Sequence, residues 1–200
     1  MKTLRILLIP ALWLGLSLPA LAQQLSLGAM SNYLNSFQTA QGEFTQINAD
    51  GTISTGQIFL KRPGRVRFEY AAPDNSLVMA GGQQVAVFDG KSNTGPEQYP
   101  LSRTPLSIIL AQNVDFSRSG MVTGHTSDGK TTTITAQDPA HPEYGNIKLK
   151  FTANPVELRQ WIITDDSGTQ TTVVLGDLRK GVNLGSTMFN IVQETQRRGG

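Results

Sequence analysis

The chain has 200 residues, 38% hydrophobic and 16% charged, enough apolar material for one sizeable core and too little charge for a disordered segment. It has no cysteine, which excludes disulfides, thiolate metal centres and a cysteine nucleophile. Lys2 and Arg5 supply the whole formal net charge of +2, and the remaining chain balances at 15 basic against 15 acidic residues, so the basic pI does not point to nucleic acid.

Residues 1–22 read as an export signal. Lys2 and Arg5 give a positive start, residues 6–18 are apolar apart from Pro10, Gly15 and Ser17, and Ala20-Leu21-Ala22 offers small residues at the −3 and −1 positions of a cut before Gln23. A membrane span needs about 20 apolar residues, and this run is shorter and broken by Pro10. Gln23 stands where a lipid-anchored protein would carry a cysteine, so a soluble exported protein is expected, processed after Ala22, with residues 23–200 as a single domain.

The remaining chain begins as a helix and continues as strands. From Ser26 to Phe37, the apolar residues Leu27, Met30, Leu34 and Phe37 recur at helical spacing behind a capping serine. Beyond Gln41 the period becomes two. Val66, Phe68 and Tyr70 alternate with Arg65, Arg67 and Glu69, and Ile147, Leu149 and Phe151 alternate with Lys148 and Lys150, as expected for antiparallel strands with one wet face. Further strands are predicted over 42–48, 55–61, 76–79, 84–89, 120–125, 130–136, 156–164 and 169–175. Turn signals separate them at Asp50-Gly51, Pro73-Asp74-Asn75, Gly81-Gly82, Asp89-Gly90, Asp128-Gly129 and Asp165-Asp166-Ser167-Gly168. Residues 92–100 read as a polar loop. They lead to a short, mostly buried helix over 104–111, where Thr104 is the cap, Pro105 the first helical residue and Ile108-Ile109-Leu110 the apolar run.

Chemistry-bearing patterns are absent from the sequence. His125 and His141 sit at a strand end and a turn, neither with a partner at metal-ligand spacing. No nucleophile elbow, phosphate loop or dinucleotide fingerprint occurs. Asp165-Asp166 reads as part of a hairpin turn. Arg65 and Arg67 read as the solvated face of their strand, whereas Arg62 has the opposite parity across Pro63. If Arg62 points inward, Ile58 and Leu60 do so too, with Val66 and Phe68 inward on the next strand.

Two stretches, Gly42-Glu43-Phe44-Thr45-Gln46 and Gly56-Gln57-Ile58-Phe59-Leu60-Lys61-Arg62-Pro63-Gly64-Arg65-Val66-Arg67-Phe68-Glu69-Tyr70, followed by Pro73, resemble the outer-membrane lipoprotein carrier (LolA) family of Gram-negative bacteria. Thr104-Pro105-Leu106 with Ile109-Leu110 is similar to the family's mid-chain helix, and Asp166-Ser167-Gly168-Thr169 to its late hairpin. The family's late F-x-F-x-x-P is represented only by Phe189-Asn190-Ile191. The resemblance implies a mainly β fold, an unclosed antiparallel β-barrel (half-barrel) with a helical lid over an apolar concave face. It implies a periplasmic chaperone that is not an enzyme and needs no cofactor or metal. Such a chaperone is a monomer that takes acylated lipoproteins from an inner-membrane ABC-type releasing complex to an outer-membrane acceptor. Arg62 matches the family's lid-closing arginine. Met30, Leu34, Phe37, Ile58, Leu60, Val66, Phe68, Ile108 and Ile109 are the corresponding candidates for cavity and lid.

Physical chemistry is consistent with that task. Exposing an acyl chain to water costs about 0.8 kcal/mol per CH₂, so a carrier needs an apolar concavity and a cover for it when empty. The two apolar helix faces are candidate covers, and ordinary core packing would give the same pattern. Three other readings remain open: a carrier of another lipid or apolar ligand, an envelope-sensing interaction module with a filled core, and a hydrolase built around His125 or His141.

Overall fold

The computed structural model describes residues 24–92 and 94–199. The expected export signal and its expected Ala22–Gln23 junction lie outside the described residues. The helices are α1 (Leu27–Asn35), α2 (Leu106–Ile109) and α3 (Ile191–Arg197). The strands are β1 (Thr39–Ile47), β2 (Ile53–Lys61), β3 (Arg65–Tyr70), β4 (Leu77–Gly81), β5 (Gln84–Phe88), β6 (Glu97–Pro100), β7 (Val122–Ser127), β8 (Thr131–Ala136), β9 (Asn146–Ala153), β10 (Val156–Thr164), β11 (Gln170–Leu175) and β12 (Arg179–Lys180).

All twelve strands join one antiparallel sheet in the order β6-β5-β4-β3-β2-β1-β11-β10-β9-β8-β7, with the short β12 also pairing β1. β6 and β7 are the two edges, so the sheet does not close into a barrel. The long partner of β1 is β11, from the far end of the chain, in register from Phe44↔Leu175 to Ile47↔Thr172. This pairing brings the two hairpin series together into one curved layer.

Local chemistry explains the main elements. The Ser26 hydroxyl caps α1 by accepting from the Ala29 amide at 3.1 Å. Strands β8 and β9 bury every second residue, as a sheet with one covered face requires. The β4–β5 hairpin turns at Gly82 and Gln83, both with positive φ (58° and 66°), one residue later than Gly81-Gly82 suggests. Asp165 holds the β10–β11 turn, its Oδ1 accepting from the Ser167 and Thr169 amides at 2.9 Å each.

The core lies on the inner face of the sheet. Met30, Tyr33, Leu34 and Phe37 of the α1 region and Leu106, Ile108 and Ile109 of α2 pack onto inward residues from Phe44, Ile58, Val66 and Phe68 round to Ile134, Leu149 and Trp161.

A second, smaller cluster lies on the outer face: Leu77 and Met79 of β4, Ala86 and Phe88 of β5, and Ile191 of α3. Strands β3–β5 are therefore covered on both sides. Gly81 permits this cover to sit close, because a Cβ there would lie 2.0 Å from the Phe189 carbonyl oxygen.

Several expectations are corrected. Residues 97–100 form edge strand β6, all four exposed, whose pairing with β5 uses the backbone alone. The mid-chain helix shortens to Leu106–Ile109, with Pro105 at its N-cap and a 3₁₀ turn, Leu101–Arg103, before it. Strand β7 starts two residues later than expected, and the C-terminal end forms a 3₁₀ turn (Ser186–Phe189) and α3. Arg67 does not face solvent. It points outward as its parity requires, but the C-terminal segment covers it and leaves it 7% exposed.

Candidate functional site

The site begins at the turn between β2 and β3, which projects Arg62 under the C-terminal end of α1. Its Nη2 donates to the carbonyl oxygens of Leu34 and of Phe37, the latter at 2.5 Å. Its Nη1 reaches the Asn35 Oδ1 at 3.4 Å and the Ala111 carbonyl oxygen, just after α2, at 3.5 Å. The guanidinium also lies 5.6 Å from the centre of the Phe37 ring. The last turn of a helix leaves carbonyls without intrahelical partners and carries partial negative charge, and α1 has no basic residue of its own there. Arg62 supplies that charge from another element.

Arg62 is 5% exposed, and its burial pushes the guanidinium pKa below the usual arginine value. An arginine keeps its charge even so, so the cation depends on those carbonyls. Its Nε–H is buried with no acceptor among the described residues. An orphaned buried donor costs about 1–3 kcal/mol, and the closed arrangement carries that cost.

Asn35 ties the two covers together. Its Nδ2 donates to the Val114 carbonyl oxygen at 2.8 Å and its Oδ1 accepts from the Val114 amide at 2.9 Å. One turn earlier, the Ser31 hydroxyl accepts from the Phe116 amide at 3.0 Å. Lys180 of β12 places its Nζ 4.2 Å from the centre of the Tyr33 ring, on the same helix. Helix α1 and the segment after α2 thus form one lid, which packs on the inner face of the sheet and is bonded to it through Arg62.

All nine expected cavity and lid residues, Met30, Leu34, Phe37, Ile58, Leu60, Val66, Phe68, Ile108 and Ile109, are buried in the one inner cluster. Beneath the latch, Leu34, Phe37, Ile58, Leu60, Arg62 and Ile109 surround a residual void of about 20 Å³. Its far wall is Leu158, Trp161 and Leu175, which the sequence reading did not single out. Met30, Val66 and Ile108 pack in the same cluster without lining the void.

Phe68 belongs elsewhere, to a cleft of about 630 Å³ at the other end of the inner face. The walls of this cleft include Val78, Val85, Val87, Ile163 and Val173, and its rim carries Tyr99, Arg103, Tyr144, Asp165 and Asp166. The Arg103 guanidinium lies 5.5 Å from the centre of the Tyr144 ring. Deeper in, the Tyr70 hydroxyl donates to the Gln46 Oε1 at 2.6 Å, and burial raises the Tyr70 pKa to about 12.

The histidines have structural partners. His125 Nε2 bonds the Leu25 carbonyl at 2.8 Å, anchoring the chain before α1, while His141 stacks on Tyr144 and pairs with Glu143. Among the described residues no three His, Asp or Glu side chains converge as a metal site would require.

This arrangement, an apolar inner face under a latched two-helix cover, accompanies a sequence match to the family "Outer membrane lipoprotein carrier protein LolA" over residues 35–192. The chain belongs to that family. Relatives named outer-membrane lipoprotein carrier protein are 24% identical over 197 residues in Pseudomonas paraeruginosa, covering 94% of each chain. A relative of the same name in Coxiella burnetii is 25% identical over 169 residues, covering 80% of this chain and 79% of its own. A crystal structure of a LolA superfamily protein from Nitrosomonas europaea aligns with 13% identity and a TM-score of 0.43, over 83% of this chain and 98% of that one. LolA-family carriers bind lipoproteins and are not enzymes.

Proposed function

We propose that this chain is a soluble periplasmic shuttle that carries acylated lipoproteins from an inner-membrane ABC-type releasing complex to an outer-membrane acceptor. The observation that carries this reading is the Arg62 latch. It fastens a lid, α1 with the segment after α2, over an apolar face by hydrogen bonds to backbone carbonyls that add to the packing of Met30, Leu34 and Phe37.

Such a latch supports reversible loading. A carrier that held acyl chains with the full hydrophobic term, about 0.8 kcal/mol per CH₂, could not hand them on. Closure of the empty state must recover part of that free energy, and it does so by burying Met30, Leu34 and Phe37 and by satisfying most of Arg62's donors. Charge-assisted bonds of this kind contribute about 1.5–3 kcal/mol each. Two of them shift the balance between empty and loaded forms by about two to four orders of magnitude.

The decisive experiment incubates the mature protein with inner membranes bearing a triacylated lipoprotein and the releasing complex, then adds purified acceptor. Release of the lipoprotein into the soluble fraction, followed by its appearance on the acceptor, is the expected result. Lipoprotein that stays in the membrane with or without the protein would overturn the reading.

A further inference from the structure

The inner face holds two spaces of very different size, one on either side of a single side chain. The small void of about 20 Å³ lies under the latch, and the cleft of about 630 Å³ lies at the other end. Trp161 lines both. Helix α2 also borders both, through Ile109 on the small void and Leu106 on the cleft. No latch residue lines the cleft: Leu34, Asn35, Phe37, Arg62 and Ala111 are all absent from its walls.

From this geometry we infer that the cleft is a separate subsite, open while the Arg62 latch is shut, which takes one acyl chain of the cargo. Trp161 and Leu106 divide it from a second space that exists only after unlatching. The inference rests on the carrier function proposed above, and adds an order of loading to it. The first chain seats without moving α1, and the further chains must open the lid.

Three features fit this occupant. The cleft volume falls within the range of about 300–1,000 Å³ usual for small-molecule sites, whereas the latched void has room for about one water molecule. Its depth is apolar, from Phe68 and Val78 to Val87 and Val173, while its rim offers a cation, Arg103, and the carboxylates Asp165 and Asp166. That combination suits an acyl chain attached to a polar group without strong net charge, as a lipidated peptide terminus is, rather than a free carboxylate. The divide is held by packing rather than by hydrogen bonds: the Trp161 indole N–H is buried with no acceptor among the described residues, and its ring meets Phe68 edge-on with centroids 6.2 Å apart.

The test compares a single-chain lipid, lysophosphatidylcholine, with a synthetic diacylated lipopeptide. Binding is measured by calorimetry and amide exchange is followed over α1. Lysophosphatidylcholine is expected to bind without changing exchange in α1, and the lipopeptide to accelerate it. Arg62→Leu should raise the preference for the lipopeptide over the single-chain lipid about tenfold. Val87→Trp, which fills the cleft, should weaken the single-chain lipid about tenfold or more, and Val78→Phe provides a smaller filling change if the first variant folds poorly. Single-chain binding that exposes α1, an unchanged preference in Arg62→Leu, or unchanged single-chain affinity in the filled variants would overturn the inference. If the lipopeptide binds and lysophosphatidylcholine does not, the two-space inference falls and the carrier function stands. If neither binds, both fall.

Discussion

Arg67 and Glu194 meet 127 residues apart in sequence, Nη1 to Oε2 at 3.1 Å, with each side chain about 8% exposed. The pair pins α3 to the outer face of β3, where the Arg67 Nη1 also donates to the Met188 carbonyl oxygen at 3.1 Å and its Nε to the Glu69 Oε1 at 2.6 Å. Removing one member of a buried pair leaves an uncompensated charge and costs about 3–5 kcal/mol. Arg67→Glu should therefore lower stability by about that amount in urea unfolding, since the new carboxylate faces both Glu69 and Glu194. Arg65→Glu, two residues nearer the β2–β3 turn and only partly buried, should change it by less than about 0.5 kcal/mol.

The same cluster sets an acid limit on how firmly the C-terminal segment is held. Burial by itself would raise the Glu194 pKa, but hydrogen bonds from Arg197 and Arg198 and the charge of Arg67 outweigh it and hold the carboxyl at about 2. The unfolded value is about 4.3. A group whose folded pKa is depressed stabilises fully above its unfolded pKa and loses that contribution as pH falls through the folded one. Protection of the α3 amides, taken relative to the intrinsic exchange rate at each pH, should thus fall between about pH 4.3 and 2, and Glu194→Gln should flatten that dependence. An unaltered acid profile in the variant would show that another carboxylate governs it.

How far the sequence reveals the fold depends on what each side chain reports. The alternation of Val66 and Phe68 with Arg65 and Arg67 assigns faces correctly, because period two is a property of the strand itself. It does not tell whether another element covers the outer face, so Arg67 looks solvated until α3 is seen above it. Helix α3 spans only seven residues, Ile191–Arg197, too few turns for a helical period to register. Trp161 is hidden for a different reason. A register shift between Leu158 and Gln160 inserts an extra residue in β10, so Leu158 and Trp161 face the same side three residues apart and simple alternation fails. Arg62 is legible because its inward parity conflicts with its charge. A cation among Ile58, Leu60 and Phe37 needs acceptors, and helix carbonyls supply them.

Asn35 is the second fastening of the lid. Replacing it with Ala removes both bonds to Val114 and leaves that residue's N–H and C=O without partners at a cost of about 1–3 kcal/mol each. The lid should open more readily in Asn35→Ala. An environment-sensitive apolar dye is expected to bind the empty variant more strongly than the parent, and amide exchange at Phe116 to accelerate. Dye binding equal to the parent's would mean that the Asn35 contact does not restrain the lid.

Phe68 joins the cleft wall to the core. Its ring stands edge-on to Phe44, with centroids 5.3 Å apart, and to Trp161 at 6.2 Å. Phe68→Glu places a carboxylate in that apolar wall, where burial without a partner is costly. Binding of a lipopeptide should be lost, while Phe68→Leu keeps the wall apolar and should retain binding with a loss of about tenfold or less. Equal losses in the two variants, with both folded by circular dichroism, would mean that ring shape rather than apolarity matters at this position.

Arg62→Leu is expected to separate holding a cargo from releasing it. The substitution deletes the bonds to the Leu34 and Phe37 carbonyls from the closed state and adds apolar surface that an acyl chain covers in the open one. Both changes favour the loaded form. The variant should bind lipoprotein at least as tightly as the parent but pass it to the acceptor about tenfold or more slowly, since losing even one charge-assisted bond of about 1.5–3 kcal/mol shifts the equilibrium by that much. Arg62→Lys keeps the charge but loses the forked geometry that serves two carbonyls at once, so its transfer rate should fall between the two. A transfer assay with purified acceptor reads this order directly. Transfer by Arg62→Leu within about twofold of the parent would show that the latch closes the lid without governing release.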